Sequence, residues 1–259
     1  MPERTEYAPG TPSWVDLQTS DQAAAKEFYK NLLGWEGFDD QEMPDTGGQT
    51  YSLAKHKGRD VAAIAPLPPQ QGIPPHWNTY VTVADVDATV GQVPNAGGNV
   101  VMPAMDVMDA GRMAVVADPT GAMIAIWQAK NHIGAGLVNE PGAYTWNELH
   151  TPDVAKAGAF YAKVFGWEPQ VFAEMGDYTV FNLEGNGIAG GTKPQMEGVP
   201  PNWLVYFEVG DTDKTAAKAQ ELGATILAPP MDIPTVGRFS VIMDPQGAVF
   251  AIIKSESQS

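Results

Sequence analysis

The sequence predicts an α+β fold with two homologous domains, each built from two units of one strand, one helix and about three further strands. Three observations predict this fold: a repeat as long as half the chain, a shorter repeat within each half, and strands whose apolar residues alternate with polar and aromatic ones. A repeat of such length indicates a duplicated domain, because solenoid repeats are only roughly 20 to 50 residues long. The 259 residues suffice for one large domain or two small ones.

The long repeat is a pattern of aromatic residues that occurs twice. Trp14 and Trp35 in the first half correspond to Trp146 and Trp167 in the second half, and the members of each pair are 132 residues apart. Between its two tryptophans, each half also carries one Phe-Tyr dipeptide. Because the internal spacing is the same in both copies, the pattern indicates duplication of a complete fold.

The match continues towards the end of each half, where the offset between the copies is 126 residues. An Asp-Pro-x-Gly turn occurs at 118–121 and again at 244–247. A stretch rich in Gly, Asn and Pro separates the copies and is typical of a linker. We therefore predict domains at residues 12–130 and 143–254.

Each half also shows an internal repeat. Val15 and Asp21 correspond to Thr79 and Asp85, 64 residues later, so that two units of strand and helix follow one another. Short alternating segments, such as 112–117, follow the helices and are bounded by turn residues, as expected for strands.

The helices are predicted from their apolar stripes and their end signals. In the first half, apolar residues at i, i+4 and i+8 predict a helix over 21–33, capped by Ser20 and ended by Gly34. In the second half, Thr151 is the predicted cap, and Pro152 takes the first helical position, where a missing N–H costs nothing.

The strands have two phases, because side chains alternate between the faces of a sheet. One phase is apolar and is predicted to pack beneath the helices: Val15, Leu17, Val81, Val83, Leu149, Val205, Phe207 and Val209. The opposite phase mixes aromatic and polar residues: Trp14, Asp16, Gln18, Asn78, Tyr80, Thr82, Trp146, Glu148, His150, Leu204, Tyr206 and Glu208. Such a mixture is typical of a solvent-exposed face, whereas large aromatics at equivalent places in both copies favour the wall of a cavity.

Composition limits the partners. A formal net charge of −16 excludes a nucleic-acid partner, which needs a basic face, and it attracts cationic ligands or simply keeps the protein soluble. The chain has no cysteine, which excludes disulfides, thiolate nucleophiles and sulfur metal sites. The N-terminal residues lack the apolar core of a signal peptide, and no apolar run has membrane-spanning length, so we expect a cytoplasmic monomer or homodimer without a membrane partner.

The pattern Asp-x6-Phe-Tyr-x4-Gly-Trp after a short strand, with Asp-Pro-x-Gly near the end of each half, resembles the glyoxalase/bleomycin-resistance/dioxygenase superfamily, also called vicinal oxygen chelate proteins. The resemblance covers residues 12 to 254. Within the superfamily, the chain is similar to paired-domain actinobacterial members, including a mycobacterial culture-filtrate antigen and proteins called hydroxylases. In that superfamily, paired βαβββ modules curl into an open barrel around a ligand cavity. The resemblance thus implies that the opposite phase lines a pocket.

The metal ligands of this superfamily are not found at the corresponding positions of the chain. The resemblance places three ligands in each domain, and these places hold Trp14, Asn78 and Ala125 in the first half and Trp146, Leu204 and Ala251 in the second half. Indole and alkyl groups cannot coordinate a metal ion, and a lone amide is a weak ligand. We therefore expect no metal and no other cofactor.

Two residues of the opposite phase are candidates for catalysis. Glu148 and His150 lie two residues apart on one strand, which places their side chains roughly 7 Å apart along it. One interpretation is that His150, or Glu148, is a general base. The other is that the two side chains hold a ligand or form a hydrogen bond with one another. The first half has Asp16 and Gln18 at these places, and Gln cannot transfer protons at neutral pH.

The remaining candidates are expected to contact a ligand: Trp14, Asp16, Gln18, Asn78, Tyr80, Trp146, Tyr206 and Glu208. The leading hypothesis is a metal-independent protein that binds a small aromatic or cationic molecule, such as an antibiotic or secondary metabolite. The alternative is a cofactor-free hydroxylase, isomerase or lyase acting on a polyketide-like or 2-oxo substrate. A metal-dependent glyoxalase or dioxygenase is the third hypothesis. The sequence leaves open whether the modules pair within or across the halves.

Overall fold

A computed structural model describes residues 3–44, 46–67, 72–194 and 198–256. The first half forms one eight-stranded sheet with two α-helices. Its elements are β1 (Pro12–Thr19), α1 (Gln22–Leu33), β2 (Gly37–Glu42), β3 (Thr50–His56), β4 (Arg59–Pro66), β5 (His76–Thr82), α2 (Val86–Gln92), β6 (Asn99–Val107), β7 (Gly111–Ala117) and β8 (Met123–Ala129).

The second half repeats this arrangement in a second eight-stranded sheet. Its elements are β9 (Tyr144–His150), α3 (Val154–Phe165), β10 (Glu168–Phe172), β11 (Tyr178–Leu183), β12 (Asn186–Thr192), β13 (Asn202–Glu208), α4 (Thr212–Glu221), β14 (Thr225–Ile233), β15 (Gly237–Met243) and β16 (Val249–Ser255). The predicted α+β class and the four βαβββ modules are confirmed.

The modules pair within each half. In the first sheet the strand order is β2-β3-β4-β1-β5-β8-β7-β6, and the two modules meet where β1 runs antiparallel to β5. The second sheet has the same order, with β9 antiparallel to β13 at its centre. Tyr51 on β3 and Tyr80 on β5 both donate to Asp16 on β1, so the open sheet curls around that residue. The face towards which each sheet curls is called its concave face below.

The helix-facing phase is buried as predicted, and the first helix of each half also packs against the sheet of the other half. All eight predicted residues of this phase are at most 7% exposed. Phe28 on α1 packs against Phe250 on β16, with ring centroids 6.3 Å apart. Phe160 on α3 lies in one cluster with Ile124 and Ile126 of the first sheet. The first helix of each half therefore also helps to cover the sheet of the other half.

The helix starts differ from the prediction. Ser20 and Thr151 are not the caps, and Pro152 lies before the helix rather than in its first turn. An aspartate side chain accepts the N–H three residues further on at the start of each α-helix; the four caps are Asp21, Asp85, Asp153 and Asp211. A carboxylate is favoured there because it also interacts with the positive end of the helix dipole. Gly34 ends α1 in the left-handed conformation, as predicted.

The segment between the two sheets packs on the first one. The N–H of Ala135 donates to the carbonyl of Ser13, and the N–H of Gly136 donates to that of Asp60.

The domain bounds at 12–130 and 143–254 stay a prediction. In the described part of the chain, no helix has the length and apolar character needed to cross a membrane.

Candidate functional site

A buried carboxylate lies at the centre of the concave face of the first sheet. Asp16 is 2% exposed. Its Oδ2 accepts from the hydroxyls of Tyr51 at 2.9 Å and Tyr80 at 2.7 Å, and its Oδ1 accepts from Nδ2 of Asn78 at 2.8 Å. Nε1 of Trp14 donates to the Tyr51 hydroxyl at 2.8 Å. These five residues are the first cluster.

The second sheet carries an equivalent group of residues around Glu148. Its Oε1 accepts from the Tyr206 hydroxyl at 2.9 Å and lies 2.7 Å from Nε2 of His150. Its Oε2 accepts from the Tyr178 hydroxyl at 2.8 Å, and Nε1 of Trp146 donates to that hydroxyl at 3.1 Å. Trp146, Glu148, His150, Tyr178 and Tyr206 are the second cluster.

Strand register explains why the two clusters differ in one partner. Asn78 on β5 lies directly opposite Asp16 on β1, so its amide reaches the carboxylate. Leu204 occupies the corresponding place opposite Glu148 and offers no hydrogen bond. His150, two residues along β9, supplies the missing partner in the second cluster.

A glycine makes room for the second cluster. Gly190 on β12 lies opposite Glu148, and a Cβ built there would stand 1.8 Å from the Tyr178 hydroxyl oxygen and 2.9 Å from Nε1 of Trp146. In the first sheet, Ala63 occupies the same register position opposite Asp16. The close approach of Tyr178 and Trp146 therefore depends on the absence of a side chain at residue 190.

Burial controls the protonation of the first cluster. Desolvation raises the pKa of the Asp16 carboxyl, although hydrogen bonds from Asn78, Tyr80 and Tyr51 lower it. Burial, and then the nearby Asp16 charge, raise the pKa values of Tyr51 and Tyr80 well above their usual range. Both phenols therefore remain protonated and act as hydrogen-bond donors.

The tyrosines of the second cluster respond in the same way. Burial, followed by the charge of Glu148, raises the pKa of Tyr178 and of Tyr206 well above the usual range. Two protonated phenols thus donate to the two oxygens of one carboxyl group.

Asp16 makes the stability of the fold depend on pH. Its folded pKa lies above the ordinary value of 3.8, so the folded chain binds more protons than the unfolded chain in the window above that value. Stability therefore falls as the pH rises through this window. Asp16→Asn does not titrate, and it keeps its hydrogen bonds because the Asn78 amide can rotate to donate to or accept from a neutral side chain. We therefore expect wild type to lose stability relative to Asp16→Asn as the pH rises. Urea unfolding of both proteins at several pH values tests this, and a constant difference would contradict it.

The two clusters differ in accessibility. Trp14 is 3% exposed, and the His132 ring packs against it edge-on with centroids 4.5 Å apart. Trp146 is only partly buried, and the His150 side chain is 18% exposed. Each cluster also has other partly exposed members, Tyr51 and Asn78 in the first and Tyr178 in the second. The clusters therefore differ at the tryptophan: Trp146 can be reached from solvent, whereas Trp14 is covered by His132.

An apolar surface adjoins the second cluster on the concave face of the second sheet. Phe239 on β15 lies beside Tyr206, with ring centroids 6.3 Å apart. The surface combines buried and partly exposed side chains: Trp146, Leu204, Tyr206, Phe239, Val241, Val249, Ala251 and Ile253. Two hollows of about 260 and 250 Å³ lie elsewhere, one beside Pro9 and Phe165 and one beside Arg238 and Lys254.

The structure brings most of the predicted site residues together in these clusters. Gln18 is half-buried on β1 beside the first cluster and lies opposite His76. Glu208 lies apart from the second cluster, since its carboxylate accepts from the backbone N–H and the hydroxyl of Ser255. Sequence reasoning missed Tyr51 and Tyr178 as members, although their matching positions in the repeat were a usable signal.

The shared Phe-Tyr and Asp-Pro-x-Gly motifs join the halves. The Tyr29 hydroxyl donates to Asp244 at 2.9 Å, and the Tyr161 hydroxyl donates to Asp118 at 2.9 Å. A tryptophan donates to each of these hydroxyls, Trp77 to that of Tyr29 and Trp203 to that of Tyr161. These motifs therefore stabilise the interface and do not belong to the candidate site.

The metal positions implied by the resemblance lie on the concave faces but carry unsuitable side chains. Tyr80 on β5 pairs with both Trp14 on β1 and Ala125 on β8, so the first-half positions are neighbours in the sheet. Their indole, amide and methyl groups do not fit a metal centre. Within the described residues, no group of three His, Cys, Asp or Glu side chains could hold an ion.

Comparison with known proteins identifies the family. The family model described as "Glyoxalase/Bleomycin resistance protein/Dioxygenase superfamily" matches residues 11–126 and 139–252. A Mycobacterium tuberculosis protein named "Putative glyoxylase CFP32" is 52% identical, with 100% of both chains covered. "Anthracycline biosynthesis protein DauV" of Streptomyces sp. strain C5 is 37% identical, with 96% of this chain and 95% of that protein covered.

Solved structures share the fold. The Mn(II)-bound glyoxalase from Novosphingobium aromaticivorans aligns with a TM-score of 0.66 at 16% identity, over 95% of this chain and 82% of that one. At this identity the likeness concerns the fold alone. Family matches in both halves and full-length relatives agree with the resemblance predicted from the sequence motifs, and the chain belongs to the glyoxalase/bleomycin resistance protein/dioxygenase superfamily.

Proposed function

We propose that this protein binds a planar aromatic secondary metabolite on the concave face of its second sheet, without a metal ion. One observation carries the proposal: the second cluster adjoins an apolar aromatic surface with its tryptophan partly exposed, whereas the equivalent tryptophan of the first half, Trp14, is covered by His132. A polar group next to an aromatic wall suits a flat ligand with a hydroxyl or amine at one edge.

The chemistry of the face supports this ligand class. Trp146, Tyr206 and Phe239 offer ring surfaces against which a planar ligand stacks. The carboxylate of Glu148 and the net charge of −16 favour a ligand that carries a cation. No side chain at the implied metal positions is a suitable ligand, which supports binding by these residues alone.

The anthracycline biosynthesis relative supports a secondary metabolite of this kind. Anthracyclines combine a planar fused-ring aglycone with, in many members, a cationic amino sugar. Such a molecule presents the flat ring system to the apolar surface and a polar edge to the second cluster.

Titration with an amino-sugar anthracycline and with its aglycone tests the proposal. Removing the Phe239 ring is expected to weaken binding about tenfold or more, the loss of one buried aromatic contact. Met113→Ala is the matched control, because Met113 occupies the corresponding position on β7 of the first sheet, opposite Trp127 as Phe239 is opposite Ile253. Calorimetry and ligand fluorescence anisotropy measure the affinities.

Two results would contradict the proposal. One is equal weakening by Phe239→Ala and Met113→Ala, which would remove the assignment to the second sheet. The other is loss of binding after treatment with a strong chelator, restored by one equivalent of a divalent metal, which would show that a metal takes part.

A further inference from the structure

We propose that the second cluster is also a proton-transfer site, in which Nδ1 of His150 is the general base and Glu148 is the positioning residue. This inference rests on the ligand site proposed above and adds a reaction to it. The substrate class is a planar aromatic ketone with an acidic C–H bond, that is, the keto form of a fused-ring phenol.

The hydrogen-bond network determines which nitrogen of His150 carries the proton. An indole N–H can only donate, so the Tyr178 hydroxyl accepts from Trp146 and directs its own hydrogen towards Glu148. The Tyr206 hydroxyl also donates to Glu148. The carboxylate of Glu148 has no hydrogen to donate, so it must accept its hydrogen bond from His150 too. Nε2 of His150 therefore carries the hydrogen, and Nδ1 carries the lone pair.

Nδ1 is the nitrogen available to a substrate. Among the hydrogen bonds of the described residues, His150 uses only Nε2, and its side chain is 18% exposed. A carboxylate behind a histidine fixes the tautomer and the ring orientation and stabilises the imidazolium that forms when the histidine takes up a proton. Glu148 is held in turn by Tyr178 and Tyr206, so this support is rigid.

The first cluster is an internal comparison without this function. Gln18 occupies the place of His150, and an amide does not take up a proton at neutral pH. The Asn78 amide donates to Oδ1 of Asp16, and the hydroxyls of Tyr51 and Tyr80 both donate to Oδ2. At this position the scaffold therefore offers an imidazole on the second concave face and an amide on the first.

The reaction needs no oxidant or metal. Nδ1 of His150 removes a proton from the carbon of the substrate, the electron pair of the C–H bond moves into the ring system that is conjugated with the carbonyl, and the carbonyl π electrons move to oxygen, which gives the enolate. The imidazolium then returns a proton either to oxygen, which gives the phenol, or to carbon, which regenerates the ketone. Return to carbon in deuterated water replaces hydrogen by deuterium at that position.

Anthrone, a planar three-ring ketone with acidic methylene hydrogens, is the probe. Under argon in deuterated water, proton NMR follows the loss of its methylene signal with and without protein. Wild type is expected to accelerate the exchange, and His150→Ala is expected to lower the protein-dependent rate about 100-fold or more. The control is His76→Ala, which removes a partly buried histidine on β5 whose Nδ1 bonds to the carbonyl of Pro74.

Chemical rescue separates the base from the positioning residue. Added imidazole is expected to restore exchange to His150→Ala, because it enters the space left by the ring and bonds to Glu148. It is not expected to restore the double variant His150→Ala/Glu148→Gln. Glu148→Gln alone is expected to lower the maximal exchange rate about tenfold or more, with the anthrone Kd within about threefold.

Separate measurement of anthrone binding distinguishes the two proposals. Absence of binding would overturn the ligand site and the reaction together. Binding with exchange that His150→Ala leaves unchanged would overturn the reaction alone, as would rescue of the double variant by imidazole. Near-UV circular dichroism of each variant confirms that it is folded before its rate is compared.

Discussion

Asp118→Ala is expected to lower the free energy of unfolding by about 3–5 kcal/mol, which is a large part of the stability of an ordinary domain. The carboxylate is 1% exposed. Its Oδ1 accepts from the backbone N–H groups of Thr120, Gly121 and Ala122 and from the Thr120 hydroxyl, and its Oδ2 accepts from the Tyr161 hydroxyl of the other half. Hydrogen bonds to a charged group contribute more than neutral ones, and this group has several.

The loss has two separable parts. Tyr161→Phe removes the bond between the halves and the acceptor of the Trp203 indole, but it keeps the Asp-Pro-x-Gly turn, so we expect it to cost about 1–3 kcal/mol. Asp118→Ala also leaves the turn amides and the buried Tyr161 hydroxyl without an acceptor. Tyr161→Phe therefore also serves as the measurable variant if Asp118→Ala does not fold.

Asp109→Ala is the matched control. Asp109 is also on the first half, but it is exposed and accepts one hydrogen bond from the Asn131 amide. Its removal should change stability by no more than about 0.5 kcal/mol. Equal effects of the Asp118 and Asp109 substitutions on the urea midpoint would show that the bond to Tyr161 does not stabilise the interface.

Much of the fold could be predicted from the sequence because the signals are local or repeated. Strict alternation assigns Val15 and Leu17 to the helix-facing side of the sheet and Trp14 and Asp16 to the opposite side, and both assignments follow from the period of a strand. The predicted helix starts are wrong because Ser20 and Asp21 are both good caps, and only the folded structure shows which oxygen reaches the amide of residue 24.

The contacts between the halves could not be predicted. Tyr29 and Asp244 are far apart in the sequence, and each occurs in a motif that the repeat made visible. Recurrence shows that a residue has the same place in both copies, but it does not show which residues meet across an interface. That depends on how α1 packs against the second sheet.

The site was predictable along one strand and not across the sheet. Glu148 and His150 were paired because they are two residues apart on β9. Tyr178 lies on β11, with β12 between it and β9, so its hydroxyl reaches Glu148 only because the sheet curls. Curvature is a property of the folded sheet, and no local pattern in the sequence specifies it.

Gly190→Ala is expected to disrupt the second cluster and leave the rest of the fold in place. The new Cβ would lie 1.8 Å from the Tyr178 hydroxyl oxygen and 2.6 Å from its Cζ, so the tyrosine ring must move. Glu148 then loses one donor and Trp146 loses its acceptor. We expect overpacking to cost about 1–3 kcal/mol of stability and ligand affinity to fall about tenfold or more.

Gly187→Ala on the same strand is the control. Its new Cβ would meet the Val180 side chain at 3.1 Å, a contact that a small adjustment relieves, so we expect ligand affinity within about twofold of wild type. A double-variant cycle tests the cause of the Gly190 effect. In a Tyr178→Ala background the ring that the new methyl group displaces is gone, so Gly190→Ala should cost little more in stability or affinity. If the two substitutions are instead additive, the methyl group acts through Trp146, whose Nε1 would lie 2.9 Å away, or through the strand itself, and the assignment of the Gly190 effect to the Tyr178 ring is refuted.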